Sequence, residues 1–347
     1  MSLLQQLAIK HPIFLAPMAG VSTPELAAEV SNQGGLGSLG LGANTPQSAR
    51  EQILKTQALT ENPFQVNFFC HQSTELNVEK AKQWLDYLRP HFEKFGAQPP
   101  QELHCIYPSF LDNDDFLNVV LETKPKAVSF HFGIPHPHQI KALKEAGILT
   151  MVSATNLIEA QAIEAAGIDI IIAQGIEAGG HRGIFNQTFD GAIKTSDLVQ
   201  LIVQHCTLPV VAAGGIMTGL QAKHMLGLGA AAVQLGTAFV QCQTSNASAE
   251  YRKALFSKPV TQISASLSGR LLGGYSTIGI QKLIHLPPVQ PEYPYTYDLA
   301  KQLNALASKH QDYGFGAFWA GSNVAQIREL EAPDLVNQLV VEMLDSE

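Results

Sequence analysis

From Pro12 to about Phe239 one rhythm recurs: a short apolar run, a turn of Gly, Ser or Asn, then a helical stretch. The apolar runs are PIFLAP from Pro12, GLGSLG from Gly35, FQVNFF from Phe64, AVSFHF from Ala127, LTMVSA from Leu149, DIIIAQ from Asp169, PVVAAGG from Pro209 and AAVQLGT from Ala231. They lack polar/apolar alternation, the pattern of strands buried on both faces. Helical stretches lie between them at 24–33, 77–95, 157–166 and 196–205, the last with Ser196 as its N-cap and Asp197 after it. Eight strands alternating with helices predict a closed parallel (β/α)8 barrel, because an open sheet seldom reaches that number at this length. The interval from Phe69 to Ala127 exceeds one unit and must hold an excursion that includes HCIYPSF around Tyr107.

After Phe239 the rhythm stops. Residues 241–330 carry the aromatic clusters PEYPYTYDLAK and YGFGAFWAG, which suit a smaller, mainly helical cap domain over the strand ends. The expected organisation is a barrel over 1–240, a substrate/cap domain over 241–330, and an amphipathic C-terminal helix within 331–347 that packs back on the barrel.

Composition narrows the function. Of the 347 residues, 46% are hydrophobic and 15% charged, enough apolar material for a large core. The formal charge of −8, without a Lys/Arg-rich block, argues against nucleic-acid and anionic-membrane partners. No window approaches the roughly 20 apolar residues of a membrane span, and the N-terminus has no secretory pattern, so a cytoplasmic location is expected. Cys70, Cys105, Cys206 and Cys242 form no CxxC pair and read as buried thiols, not as a disulfide frame or zinc site.

In a barrel, chemistry sits on the loops after the strands. The last two strands run into AAGGI (212–216) and QLGT (234–237), where glycines let backbone N–H groups approach phosphate oxygens. The plain alternative is that they only make tight turns. After the first strand, APMAG can lay a flat apolar backbone against a planar ring. Asn67, at the third strand edge, can hydrogen-bond a heterocycle. Gln174 ends the sixth strand and leads into GIEAGGHRG, a close-folding backbone that holds out His181. His131 ends the fourth strand; a neighbouring carbonyl could instead satisfy it. Tyr293, Tyr297 and Lys301, at i, i+4 and i+8, would share one side of a helix started by Pro294. They suit either a small-anion clamp or an ordinary surface helix.

Together, APMAGVSTPEL, VNFF, SFHFG, GIEAGGHRG, AAGGI and QLGTAF resemble the nitronate monooxygenase family, formerly 2-nitropropane dioxygenases, over nearly the whole chain. HFG, Tyr107 and the Tyr293/Tyr297/Lys301 series resemble its class I branch. The resemblance implies non-covalent FMN held by Ala16, Pro17, Met18, Asn67, Gln174, Gly179, Gly180, Gly214, Gly215, Gln234, Gly236 and Thr237. It implies catalysis by His181 and His131, with Tyr107, Tyr293, Tyr297 and Lys301 holding the substrate's charged ends. Relatives commonly follow Ser268–Gly269–Arg270 with a further Arg and Asn; this chain reads LLGGYST.

The implied reaction is oxidative denitrification: an anionic nitronate, propionate 3-nitronate in that branch, gives one electron to FMN. O2 then completes cleavage to an aldehyde-type product and nitrite. For a neutral nitroalkane, His181 would be the candidate base. The expected partners are the nitronate and O2; whether the chain forms a homodimer stays open. A rival reading is an NAD(P)H-dependent FMN reductase of quinones or enoyl thioesters, which NAD(P)H would bleach without nitronate. A third, a ligand-binding barrel without chemistry, would purify colourless.

Overall fold

Each apolar run forms a parallel strand in the computed structural model: β1 (Ile13–Leu15), β2 (Gly37–Gly40), β3 (Phe64–Phe69), β4 (Ala127–His131), β5 (Leu149–Ala154), β6 (Ile170–Gln174), β8 (Val210–Ala213) and β9 (Ala232–Leu235). The short β7 (Gly180–His181) lies outside this set. The structure describes residues 1–187, 189–257, 260–265, 267–270, 272–275 and 289–345. Strand order is β1-β9-β8-β6-β5-β4-β3-β2. Leu36 N–H donates to Ile13 O and Leu15 N–H to Leu36 O, each at 2.9 Å, so the edge strands meet and the chain is a (β/α)8 barrel.

Side chains alternate between two apolar compartments, which explains the unbroken hydrophobic runs. Ile170 and Ile172 join Phe14, Met151, Val211 and Ala232 inside the barrel, where Leu3 and Leu7 of the N-terminal helix close the bottom. Ile171 and Ala173 face the other way, into the layer shared with the surrounding helices.

Three local expectations are corrected. The helix expected to be capped by Ser196 spans Thr195–His205 and has no side-chain cap from its own N-cap residue. Glu177 supplies it from a distance, accepting from Thr195 N–H and Oγ1, each at 2.9 Å. Cys70, Cys206 and Cys242 are buried, but Cys105 lies in the excursion after β3 and is exposed. Tyr293 is not helical: the helix spans Tyr295–Lys309 with Pro294 at its N-cap, so Tyr293 precedes the face that carries Tyr297 and Lys301.

Beyond the barrel, helices Ala249–Phe256 and Tyr295–Lys309 accompany a small antiparallel sheet. It pairs β10 (Thr261–Ser264) with β11 (Leu272–Tyr275), and β11 with β12 (Phe318–Trp319) and β7. The helix Tyr295–Lys309 packs Leu299 and Leu303 on Trp84 and Leu88. Helix Ala332–Leu344 returns to the barrel, where Glu342 accepts from Gly219 N–H at 2.6 Å. Among the described residues no helix is long and apolar enough to cross a membrane.

Candidate active site

All twelve residues expected to contact the cofactor line one cavity at the C-terminal mouth of the barrel, with His131, His181, Tyr107 and Tyr297. Its floor is the pair of loops after β8 and β9. Gly214 and Gly215 have φ of +125° and +69°, conformations that L side chains rarely adopt. A Cβ on Gly215 would also lie 2.8 Å from Glu177 Cβ. The loop carbonyls are tied back: Gly214 O accepts from Thr195 Oγ1 at 3.0 Å, and Gly215 O from Asn323 Nδ2 at 2.6 Å. Among the described residues, the N–H groups of Gly215, Ile216, Gly236 and Thr237 have no protein acceptor. Thr237 Oγ1 accepts from Gly321 N–H at 3.0 Å, leaving its own proton free to donate. Convergent unpaired N–H groups beside a helix start form an anion cradle.

Asn67 lies within β3 with 6% of its surface exposed. Its Nδ2 donates to Ser129 O and Oγ at 3.1 and 3.0 Å, which leaves Oδ1 to accept from a heterocyclic N–H. Gln174 is spent differently. Its Nε2 donates to His181 O at 3.0 Å, while Oε1 accepts from Gly183 N–H at 2.7 Å and Arg182 Nη1 at 3.2 Å. Arg182 is fully buried, paired with Asp190 at 2.8 Å and donating to Gly175 O at 2.6 Å. This network holds the loop that presents His181.

His181 lies on β7, and its Nε2 is 2.9 Å from Ser268 Oγ. Burial, then the neighbouring His131 and the charges of Arg270 and His71, lower its pKa to about 3. Burial likewise lowers His131 to about 4, against the hydrogen bond to His181 O. Both imidazoles are therefore neutral at ordinary pH.

Aromatic rings enclose His181, with centroids 5.7 Å away for Phe132 and Tyr293, 5.8 Å for Trp319 and 6.0 Å for Tyr297. Burial raises the phenol of Tyr297 to about 12 and pushes Tyr107 and Tyr293 up as well, so all three keep their protons. Tyr293 stands behind the wall: it does not line the cavity, and its buried hydroxyl has no partner among the described residues. Lys301 is separate too. It lines a second, outer cavity that shares Tyr107, Tyr251, Tyr297 and Trp319 with the first. Its Nζ sits 5.5 Å from the Tyr107 ring centroid and 6.0 Å from that of Tyr297. Among the described residues neither lining includes Asp or Glu, and Lys301 is the one charged residue in the two.

Several lining residues escape the sequence reading. Trp319 and Gly321 come from the segment after the cap helix, and Asn323 fastens that segment to Gly215. Gly179 permits the contact, since a Cβ there would lie 2.6 Å from Ala320 C. YGFGAFWAG signalled an aromatic cluster, but nothing local pairs it with a loop about 100 residues earlier.

Two glycine loops with unpaired N–H groups after the last two strands, beside a chamber that holds His131 and His181, place the candidate active site at the mouth of a (β/α)8 barrel. The nitronate monooxygenase family model matches residues 1–342. Nitronate monooxygenase of Paraburkholderia phytofirmans is 49% identical over 355 residues, covering 99% of this chain and 95% of its own. That of Pseudomonas aeruginosa is 46% identical, covering 97% of each. The crystal structure of nitroalkane oxidase from Streptomyces ansochromogenes superposes with a TM-score of 0.90 at 36% identity, over 98% of this chain and 97% of its own. FabK from Thermotoga maritima follows at 0.74 and 26%, over 98% and 94%. The chain belongs to the nitronate monooxygenase family of oxidoreductases.

Proposed function

We propose that this chain binds FMN and oxidatively denitrifies alkyl nitronates, propionate 3-nitronate foremost, using O2 and releasing nitrite and an aldehyde-type product. The anion cradle carries the reading. Its unpaired N–H groups and the Thr237 hydroxyl suit one phosphate, while Asn67 Oδ1 offers an acceptor to a heterocycle. GLGSLG fits the letters GxGxxG, yet it is strand β2 itself instead of the turn after a strand, so it does not favour a dinucleotide. When bound, the flavin supplies the redox chemistry, and the protein supplies position and field.

The chamber favours the anionic form of the substrate. A nitronate is already deprotonated and needs no strong base. His181, with its pKa lowered by burial to about 3, suits polar contact with an anion better than removal of a proton from a neutral nitroalkane. A neutral imidazole and the protonated phenols of Tyr107 and Tyr297 offer polar contacts to the nitro oxygens where charge shifts. The aromatic wall favours a desolvated chamber, and Lys301, in the adjoining outer cavity, is the cation we assign to a carboxylate tail. Heat release of the yellow chromophore followed by chromatography tests the cofactor: FMN is expected, and FAD or no flavin overturns the reading.

A further inference from the structure

Arg270 is 3% exposed, a buried cation close to the chamber. No carboxylate pairs with it among the described residues, and residues 276–288 contain no Asp or Glu. Its guanidinium lies 4.2 Å from the ring centroid of Phe132 and 5.4 Å from that of Tyr293. Nη1 donates to Ile184 O at 3.3 Å, and Nε and Nη2 are 3.2 and 3.0 Å from the Gln187 amide. These are neutral partners, so the positive charge is held without being cancelled.

The same residue stands behind the chamber, one layer out from His181. Its backbone N–H donates to Ser268 Oγ at 3.2 Å, and that hydroxyl is 2.9 Å from His181 Nε2. Phe132, beneath the guanidinium, is 4.6 Å from the His131 ring and 5.7 Å from that of His181. The charge survives burial, since its pKa falls only to about 10. After burial, its charge is among the causes that lower the pKa of His181, His131 and His71. In a chain of formal charge −8, this is a local reversal of sign.

We propose that Arg270 is a specificity-determining residue: an uncompensated buried cation that makes the chamber select anionic nitronates over their neutral nitroalkane acids. The proposal rests on the nitronate reading above and concerns how that site discriminates. Arg270 acts through the potential and needs no contact with the substrate. The guanidinium also stacks where Lys would not, so charge and packing can be separated experimentally.

The test uses flavin-loaded protein under anaerobic conditions, at a pH low enough to keep nitroethane in its neutral form, and two small ligands. Inorganic nitrate, a planar anion, and nitroethane, a neutral molecule of similar head group, are titrated by calorimetry. R270M is expected to weaken nitrate about tenfold, about 1.4 kcal/mol, and to leave nitroethane within about twofold. R270K, which keeps the charge, is expected to hold nitrate within about threefold of the parent. R270Q repeats the measurement if R270M does not fold. Equal losses for nitrate and nitroethane, or no loss for nitrate, overturn the proposal. Because calorimetry needs no turnover, an enzyme inert toward nitronates that still shows this discrimination would sink the activity reading alone.

Discussion

His131 Nε2 lies 3.0 Å from the backbone carbonyl of His181, while its Nδ1 lies 3.0 Å from Ser153 Oγ. A carbonyl only accepts, so Nε2 carries the proton and Nδ1 accepts from the serine hydroxyl. Both ring nitrogens are occupied. We therefore place His131 as the residue that positions the His181 backbone.

His131→Gln keeps an N–H able to reach that carbonyl, and should retain flavin with kcat within about tenfold. His131→Ala removes one of the two donors to that carbonyl, leaving Gln174 Nε2, at a cost of about 0.5–1.5 kcal/mol for the lost bond. It should lower Tm and kcat together. Equal kcat losses in the two variants would point to proton transfer by the imidazole instead of positioning.

His181→Asn should retain flavin and lose turnover. The side chain projects from a loop whose backbone is fixed by Gln174 and His131, so shortening it leaves those bonds in place. A loss of about 10²–10³-fold in kcat/KM is expected for removal of a polar contact to the nitro oxygens. A variant with near-parental kcat/KM would make His181 a structural residue.

The pH dependence of stability follows from histidines that fold neutral. His181, His131 and His71 have pKa values of about 3, 4 and 4, all below the ordinary 6.5, with burial as the first cause. The unfolded chain therefore takes up protons below pH 6.5 that the folded chain refuses. Their contribution is fully present above 6.5 and is lost as pH falls toward 4, at up to about 1.4 kcal/mol per pH unit per histidine. His71, whose ring nitrogens have no partner among the described residues, is the cleanest probe. Urea unfolding between pH 4.5 and 7 should show a shallower slope for His71→Leu; an unchanged slope would exclude the mechanism.

Lys301→Met should raise KM for a nitronate with a carboxylate tail and spare one with an uncharged tail. Lys301 is exposed in the outer cavity, so the effect is that of a screened pair, about 1 kcal/mol or roughly fivefold. It should shrink further in high salt. Equal changes on both substrates would mean that the residue shapes the opening without reading charge.

What was legible in the sequence was whatever has a period or a local signature. All eight strands follow from uninterrupted apolar runs, and the AAGGI and QLGT loops from their glycines. The remainder depends on contacts between distant segments. Gln174 lines the cavity, but the bonds from Arg182 and Gly183 to its carbonyl oxygen are visible only in the folded chain. Asn323 has no motif of its own, yet it holds the Gly215 carbonyl away from the cradle. The spacing of Tyr293, Tyr297 and Lys301 suggested one helix, but the helix begins after Pro294. Arg270 belonged to a recognisable Ser–Gly–Arg, while its lack of an acidic partner among the described residues is a property of the folded chain alone.

The central claim is that the bound flavin takes electrons from a nitronate, and the visible spectrum under anaerobic conditions tests it most directly. The purified protein should be yellow. Adding propionate 3-nitronate should change the flavin bands within the time of turnover, with nitrite formed when O2 is admitted, and NADH alone should leave them unaltered. Bleaching by NADH with no response to nitronate would contradict the account and favour a nicotinamide-dependent reductase.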